Sequence, residues 1–238
     1  MTGQVPDEDS SGVGEGPPAG YRGKRCFDLV VAVTVLIVMA PVFVAVWFLV
    51  RVGLGRPVLF RQRRPGFGGR IFEILKFRTM TEERGGNGEL LPDKQRLTRL
   101  GRLLRATSLD ELPELWNVVR GEMSLVGPRP LLPEYLSYYS PRERLRHSVR
   151  PGVTGLAQVS GRNLLSWDER LKLDVRYVES ISFPNDLRIL ARTIGSVLGH
   201  RGAAPDVEAI GESRLDQERQ ESRKDRSVAG SGSSGRVE

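Results

Sequence analysis

The chain has almost none of the residues from which disulfide scaffolds and zinc sites are built. Its one cysteine, Cys26, excludes an internal disulfide and agrees with a reducing compartment. Its two histidines, His147 and His200, lie far apart among arginines, with no partner at metal-ligand spacing. Both read as surface or helix-end residues. A third scarcity says more. Between Phe27 and Val50 only Asp28 carries a charge, and after it the run VVAVTVLIVMAPVFVAVWFLV has no polar stripe. A buried helix of a soluble domain normally keeps such a stripe. At 24 residues the segment is long enough for a bilayer core, which about 20 apolar residues cross. It starts too far from Met1 and runs too long for a signal peptide.

Pro41 stands near the middle of this segment, where it removes a backbone hydrogen bond and bends a helix. Bases flank both ends: Arg22, Lys24 and Arg25 before it, then Arg51, Arg56, Arg61, Arg63 and Arg64. Because positive residues stay cytoplasmic, the pattern favours a re-entrant hairpin. A single span with an outside N-terminus stays open, since the charge excess lies on the C-terminal side.

Charge is also scarce at the ends in one sign. Residues 1–20 carry four acids and no base, and residues 203–238 eight acids and six bases, so 21–202 hold a net charge of +13. Such a cationic core suits an acidic partner. Residues 1–21 form an acidic tail, rich in Gly, Pro and Ser, that cannot bury a core. The sequence therefore divides into a disordered tail (1–21), a membrane segment (22–52), a catalytic domain (53–202) and a second disordered tail (203–238).

The expected fold class is mainly α with a small β-hairpin. A re-entrant membrane hairpin and amphipathic interfacial helices join a compact α/β-type cytoplasmic domain. PVLFRQRRPGFGGRIFEILKFRTM reads as two extended runs joined by the turn PGFGG. GGNGELLPDK reads as a flexible loop. RLTRLGRLLRA (96–106) puts Leu97, Leu100, Leu103 and Leu104 on one helical face ringed by arginines, a pattern that lies on anionic lipid or covers a soluble core. Helices are also expected over 166–180 and 185–199, separated by Phe183 and Pro184. The second has an apolar face of Leu187, Leu190, Ile194, Val197 and Leu198.

The stretch SLDELPEL (108–115) sets two acids side by side, with a proline close behind, in the most basic part of the chain. Taken alone it reads as a helix start, with Ser108 and Glu111 as a capping box or Asp110 as the cap. Its surroundings point elsewhere. Arg99, Arg102 and Arg105 precede it, and MSLVGPRP follows, with Arg129 between two prolines. Arginine forks match phosphate oxygens, and carboxylates beside them stay ionised. Two acids can divide phosphoryl chemistry, one attacking phosphorus while the other holds a divalent cation.

These stretches, together with KRCFDLVVA and RPGVTGLAQVSGRNLLSWDERLKLDVRYVES, closely resemble the bacterial sugar transferases, monotopic polyprenyl-phosphate phosphoglycosyl transferases, over about residues 22 to 200. In its short N-terminus the chain resembles the minimal, single-domain form. The resemblance implies transfer of phospho-sugar from a UDP-sugar to undecaprenyl phosphate with release of UMP, at the inner leaflet of the cytoplasmic membrane. By residue match, Asp110 is the nucleophile of a covalent aspartyl intermediate and Glu111 a ligand of the cofactor Mg2+. Arg105 and Arg129 align with phosphate-contacting arginines, and Lys76 and Arg78 are further candidates. The family's broken re-entrant helix usually carries Ser–Pro where this chain has Ala40–Pro41, and Phe183 stands at a family tryptophan position. Glucose, galactose and N-acetylated donors all stay open, as does a homodimer. The rivals are a membrane glycosyltransferase, which would release UDP, and a membrane scaffold. Nucleic acid is not an expected partner, since no reading motif or stacking array accompanies the charge.

Overall fold

The computed structural model describes residues 19–161, 165–198, 215–216 and 218–220. The expectations for residues 1–18, His200, residue 199 and most of the second tail lie outside these.

Helix α1 (Lys24–Val38) and helix α2 (Ala40–Gly53) meet at Met39 and are bent by 63°. The break falls two residues before Pro41. The proline takes the first turn of α2, where an absent N–H removes no bond of that helix. Among the described residues no single helix is long and apolar enough to cross a membrane. Both helices nevertheless turn apolar residues outward: Val30, Val33 and Ile37 on α1, and Val44, Phe48 and Val52 on α2.

The polar start of α1 faces the protein. Asp28, the one charge of the apolar run, accepts hydrogen bonds from Ser124 Oγ (2.7 Å) and Leu125 N (3.3 Å). Lys24 donates to Val126 O (3.2 Å) and Asp186 (2.6 Å), and Arg25 to the carbonyls of Val118 and Val119. Two of the flanking bases expected to mark a membrane face are therefore tied into the domain.

Strands β1 (Leu59–Pro65) and β2 (Ile71–Phe77) pair antiparallel, Leu59 opposite Phe77 and Pro65 opposite Ile71. The tight turn between them sets Gly68 and Gly69 at positive φ, as the PGFGG reading requires. The single helix expected from residue 96 is two: α3 (Asp93–Arg96) and α4 (Arg99–Ala106). Thr98 interrupts them because its side chain caps Gly101 N at 2.9 Å. The leucine face divides as well. Leu104 packs with Val46, Val50, Val58 and Phe77 in a core under α2, whereas Leu103 is exposed.

After α5 (Glu114–Arg120) comes a parallel pair that the sequence does not announce, β3 (Ser124–Val126) with β4 (Gly152–Thr154). Helices α6 (Leu156–Ser160), α7 (Trp167–Glu179) and α8 (Phe183–Leu198) complete the domain. Ser166 and Glu169 form a reciprocal capping box on α7. α8 begins at Phe183 with Pro184 in its first turn, so these two residues open the helix instead of separating two helices. Its buried side also differs from the expected face: Asp186 and Ile189 are buried, while Leu187 and Ile194 are exposed. The cause is Asp186, which accepts from Tyr21, Lys24 and Tyr177 and fixes the rotation of α8. The main core joins α1, α5, β3, α7 and α8 through Ala32, Val118, Met123, Val126, Tyr177 and Ile189.

Parts of both tails pack onto this domain. Tyr21 meets Phe183 edge-on, and Leu215 is buried against Tyr135, Tyr139 and Leu171. Arg219 pairs with Glu143 and Asp168. For these residues the disorder reading is corrected, because a tyrosine or leucine that finds an apolar seat offsets its ordering cost. The architecture is thus mainly helical with a small sheet content, as expected.

Candidate active site

β2 ends at a cavity of about 910 Å3. Asn117, fully buried on α5, binds the strand's edge: its Oδ1 accepts from Leu75 N (3.1 Å) and its Nδ2 donates to Glu73 O (2.7 Å). This contact sets the register between α5 and β2 and brings Glu114 beside Lys76.

The acid pair lies in a one-turn 3-10 helix, Leu109–Glu111. Ser108 before it has φ 56°, and it is the only non-glycine residue at positive φ among those described. Strain of this kind concentrates at functional sites. The capping readings fail here. Ser108 makes no side-chain cap, and α5 starts after Pro113, which leads into its first turn without breaking a bond. Glu111 is drawn away instead: its Oε1 accepts from Lys76 Nζ (2.7 Å) and Arg129 Nη2 (2.6 Å).

The neighbouring acids are thereby made unlike. Burial alone would raise the Glu111 carboxyl, but Arg129 and Lys76 outweigh it and hold it well below the usual carboxylate range. The Asp110 carboxyl is raised, by burial first and by Glu111 next, against the opposing pull of Lys76, Arg105 and Arg129. No described hydrogen bond engages Asp110, which is 8% exposed and lines the cavity.

Arg129 is placed by close backbone packing. A Cβ on Gly152 would lie 2.1 Å from Gly127 N, so both positions of the VGPRP and RPGVTG stretches need glycine. Arg146, buried and paired with Asp174 at 2.8 Å, donates to Arg129 O at 2.6 Å. Arg105 also lines the cavity, and its Nε donates to Thr79 Oγ1 at 3.1 Å. Lys76, Arg105, Asp110, Glu111 and Arg129 are thus brought together. Arg78 lines the same cavity, yet its guanidinium donates to the carbonyls of Leu54 and Arg56 at the end of α2, which gives it a structural task there.

Sequence reasoning missed Glu114. It is 1% exposed and lies 3.1 Å from Lys76, and burial pushes its carboxyl up to about 7, with Lys76 opposing and Glu111 reinforcing. It also missed Arg64, a cavity residue whose guanidinium is pushed down to about 10 by burial and by Arg129. Glu114 reads as one more acid of a helix start. Only its three-residue offset from Glu111, which puts both on one helical side, hints at more.

For a divalent cation the donor set is lean. Among the described residues no group of three or more His, Cys, Asp or Glu is arranged to hold a metal ion by itself. Mg2+ sites on phosphorylated substrates commonly use one or two carboxylates, the rest of the shell coming from phosphate and water. Asp110 and Glu111 fit that pattern, since both described bonds of Glu111 fall on Oε1.

Residues 20–200 match the family model of the bacterial sugar transferases. The chain belongs to this family. It is accordingly a transferase. A Bacillus subtilis protein named an uncharacterized sugar transferase, EpsL, is 50% identical over 179 residues, covering 75% of this chain and 89% of its own length. A UDP-galactose-lipid carrier transferase of Erwinia amylovora is 43% identical over 197 residues, 76% of this chain and 41% of its own. A UDP-glucose:undecaprenyl-phosphate glucose-1-phosphate transferase of Caulobacter vibrioides is 41% identical over 185 residues, 74% and 69% respectively.

Proposed function

We propose that this bacterial sugar transferase moves phospho-sugar from a UDP-sugar to undecaprenyl phosphate and releases UMP, a first step in building a cell-surface glycan. The observation that carries the reading is the inequality of the two acids. Glu111 is fixed by two cations, while Asp110 keeps an unengaged carboxylate of raised basicity in the same cavity. A carboxylate with free lone pairs is the better nucleophile.

In the first step an Asp110 oxygen attacks the sugar-bearing phosphorus, and the bond to the bridging oxygen breaks. UMP leaves with that oxygen and its electron pair. In the second step an undecaprenyl phosphate oxygen attacks the same phosphorus, giving the lipid diphosphate sugar and returning the Asp110 carboxylate. Lys76, Arg105 and Arg129 orient the diphosphate and balance its charge, at fixed positions that need no reorganisation. Mg2+, held by Glu111 with Asp110 beside it, would supply further neutralisation of the phosphates. Names of the Caulobacter and Erwinia relatives support the donor and carrier classes; their glucose and galactose leave the sugar of this chain open.

The membrane reading is a re-entrant hairpin on the cytoplasmic leaflet. It is supported by the 63° bend and the outward apolar residues of both helices. With one substrate in water and the other in lipid, this reading requires the reactive carboxylate at their boundary.

The decisive experiment is nucleotide release from the purified protein with Mg2+, undecaprenyl phosphate and a panel of UDP-sugars. Lipid-dependent UMP is expected from one donor, and a UMP burst equal to the enzyme concentration is expected when lipid is withheld. UDP as product would mean a glycosyltransferase and would remove Asp110 as the phosphorus-attacking group.

A further inference from the structure

The cavity lining is uneven. Near the acids it is dense with paired charge. Leu131, Val153, Ala157 and Val197 give the lining aliphatic surface as well, and Gln158, next in sequence to Ala157, lines the same cavity. Neither Nε2 nor Oε1 of Gln158 has a hydrogen-bond partner, and both atoms are shielded from solvent. A buried amide left unpaired is destabilising, and native folds keep one where it serves a ligand or an ordered water.

The backbone defines this position. A Cβ on Gly155 would lie 2.7 Å from Gln158 Oε1 and 2.2 Å from Gly127 O. The amide therefore rests against bare backbone at the seam between β3 and α6, and Arg129 is two residues beyond Gly127. One packed seam holds both a phosphate-seeking guanidinium and an unpaired amide.

We propose that Gln158 binds the pyrimidine edge of the nucleotide donor. Its Nε2 donates to a ring carbonyl and its Oε1 accepts from the ring N–H, while the aliphatic lining takes the faces of the base. A base has flat apolar faces and one edge on which donor and acceptor are adjacent, and a primary amide mirrors that edge. A hexose presents several hydroxyls, each needing a partner. The hydroxyls available here, Thr154 and Thr193, are already bonded to each other at 2.8 Å. Elsewhere in the lining Thr81 Oγ1 has no hydrogen-bond partner and offers the sugar a hydroxyl.

This inference rests on the UDP-sugar reading, and the test separates the two. Binding of UMP, ribose 5-phosphate and glucose 1-phosphate is measured by calorimetry on the full chain and on Gln158→Met, which keeps length and removes the amide. UMP should bind wild type more tightly than ribose 5-phosphate. Gln158→Met should weaken UMP by roughly tenfold or more, leave the other two probes unchanged, and raise KM for the UDP-sugar with little change in kcat. Unliganded Gln158→Met should melt at or above wild type, because the lost amide had no partner in the fold. Unchanged UMP affinity would overturn the proposal. So would a loss confined to glucose 1-phosphate, which would move the amide to the sugar, or a lower melting temperature, which would make it structural. Absence of UMP binding to wild type would sink the donor reading itself, and the proposal with it.

Discussion

The hairpin and the acid cluster both hold residues that look misplaced, and they resolve the problem in opposite ways. On α1 and α2, Val30, Ile37, Val44, Phe48 and Val52 are each at least 60% exposed, and none of the described residues covers them. At the acid pair, Asp110 and Glu111 line the cavity with Glu114 buried behind Lys76, and the fold answers from within: Lys76 bridges Glu111 and Glu114, and Arg129 completes the set. One region leaves its apolar surface uncovered among the described residues. The other is complete before any substrate arrives, which is the condition for electrostatic preorganisation. Anchoring and chemistry should therefore come apart under mutation.

The largest effect is expected at Asp110, the proposed nucleophile. Asp110→Asn should lower lipid-dependent UMP release by at least about a thousandfold and abolish the donor-only burst, while cosedimentation with anionic vesicles stays at the wild-type level. A burst that survives in this variant would take Asp110 out of the mechanism. The converse probe is the triple replacement of Val44, Phe48 and Val52 by serine. On the membrane reading, removing three exposed apolar side chains should weaken vesicle binding by roughly several hundredfold. The burst from UDP-sugar alone should persist, since none of the three lines the cavity. If the burst fell in parallel with binding, the two regions would be one cooperative unit and the comparison would fail.

A smaller effect sharpens the site half. Glu111→Gln removes the charge that two cations share, so transfer should fall by roughly ten- to a hundredfold, with a weaker dependence on Mg2+. An unchanged Mg2+ titration would leave Glu111 as an organiser of Lys76 and Arg129 only.

The same contrast explains what the sequence made legible. The outward apolar residues of the run could be read because an unbroken apolar stretch is written in consecutive residues, and the β1–β2 hairpin because PGFGG carries its own turn chemistry. The acid pair drew attention by being odd in a basic region. Glu114, Arg64 and Arg146 did not, because each takes its meaning from partners 17 to 65 positions away in sequence, such as Lys76, Arg129 and Asp174. The three-residue strands β3 and β4 are too short for any periodicity, and their pairing depends on glycines whose close approach exists only after folding. Ser108 looked like a cap, but its backbone is left-handed and its side chain makes no cap bond. α8 misled for a related reason: leucine spacing suggested one buried face, and a single buried aspartate chose another.

The smallest predicted effect tests whether the cluster is as complete as its geometry suggests. The Glu114 carboxyl is raised by burial to about 7, so the folded protein holds this proton at pH values where the unfolded chain has lost it. Between the ordinary glutamate range and about 7, folding therefore takes up a proton, and stability must fall as pH rises. Glu114→Gln removes that titration and keeps an amide against Lys76. The melting temperature of wild type should decline from pH 5 to pH 8 more steeply than that of the variant, by a difference equivalent to about 1–3 kcal/mol. Parallel curves would mean that Lys76 keeps Glu114 ionised throughout, and the cluster would then carry one more negative charge facing the incoming phosphates. In that case Arg105 and Arg64 would have to supply the remaining attraction, and neutralising either should cost more donor affinity than neutralising Glu114 restores.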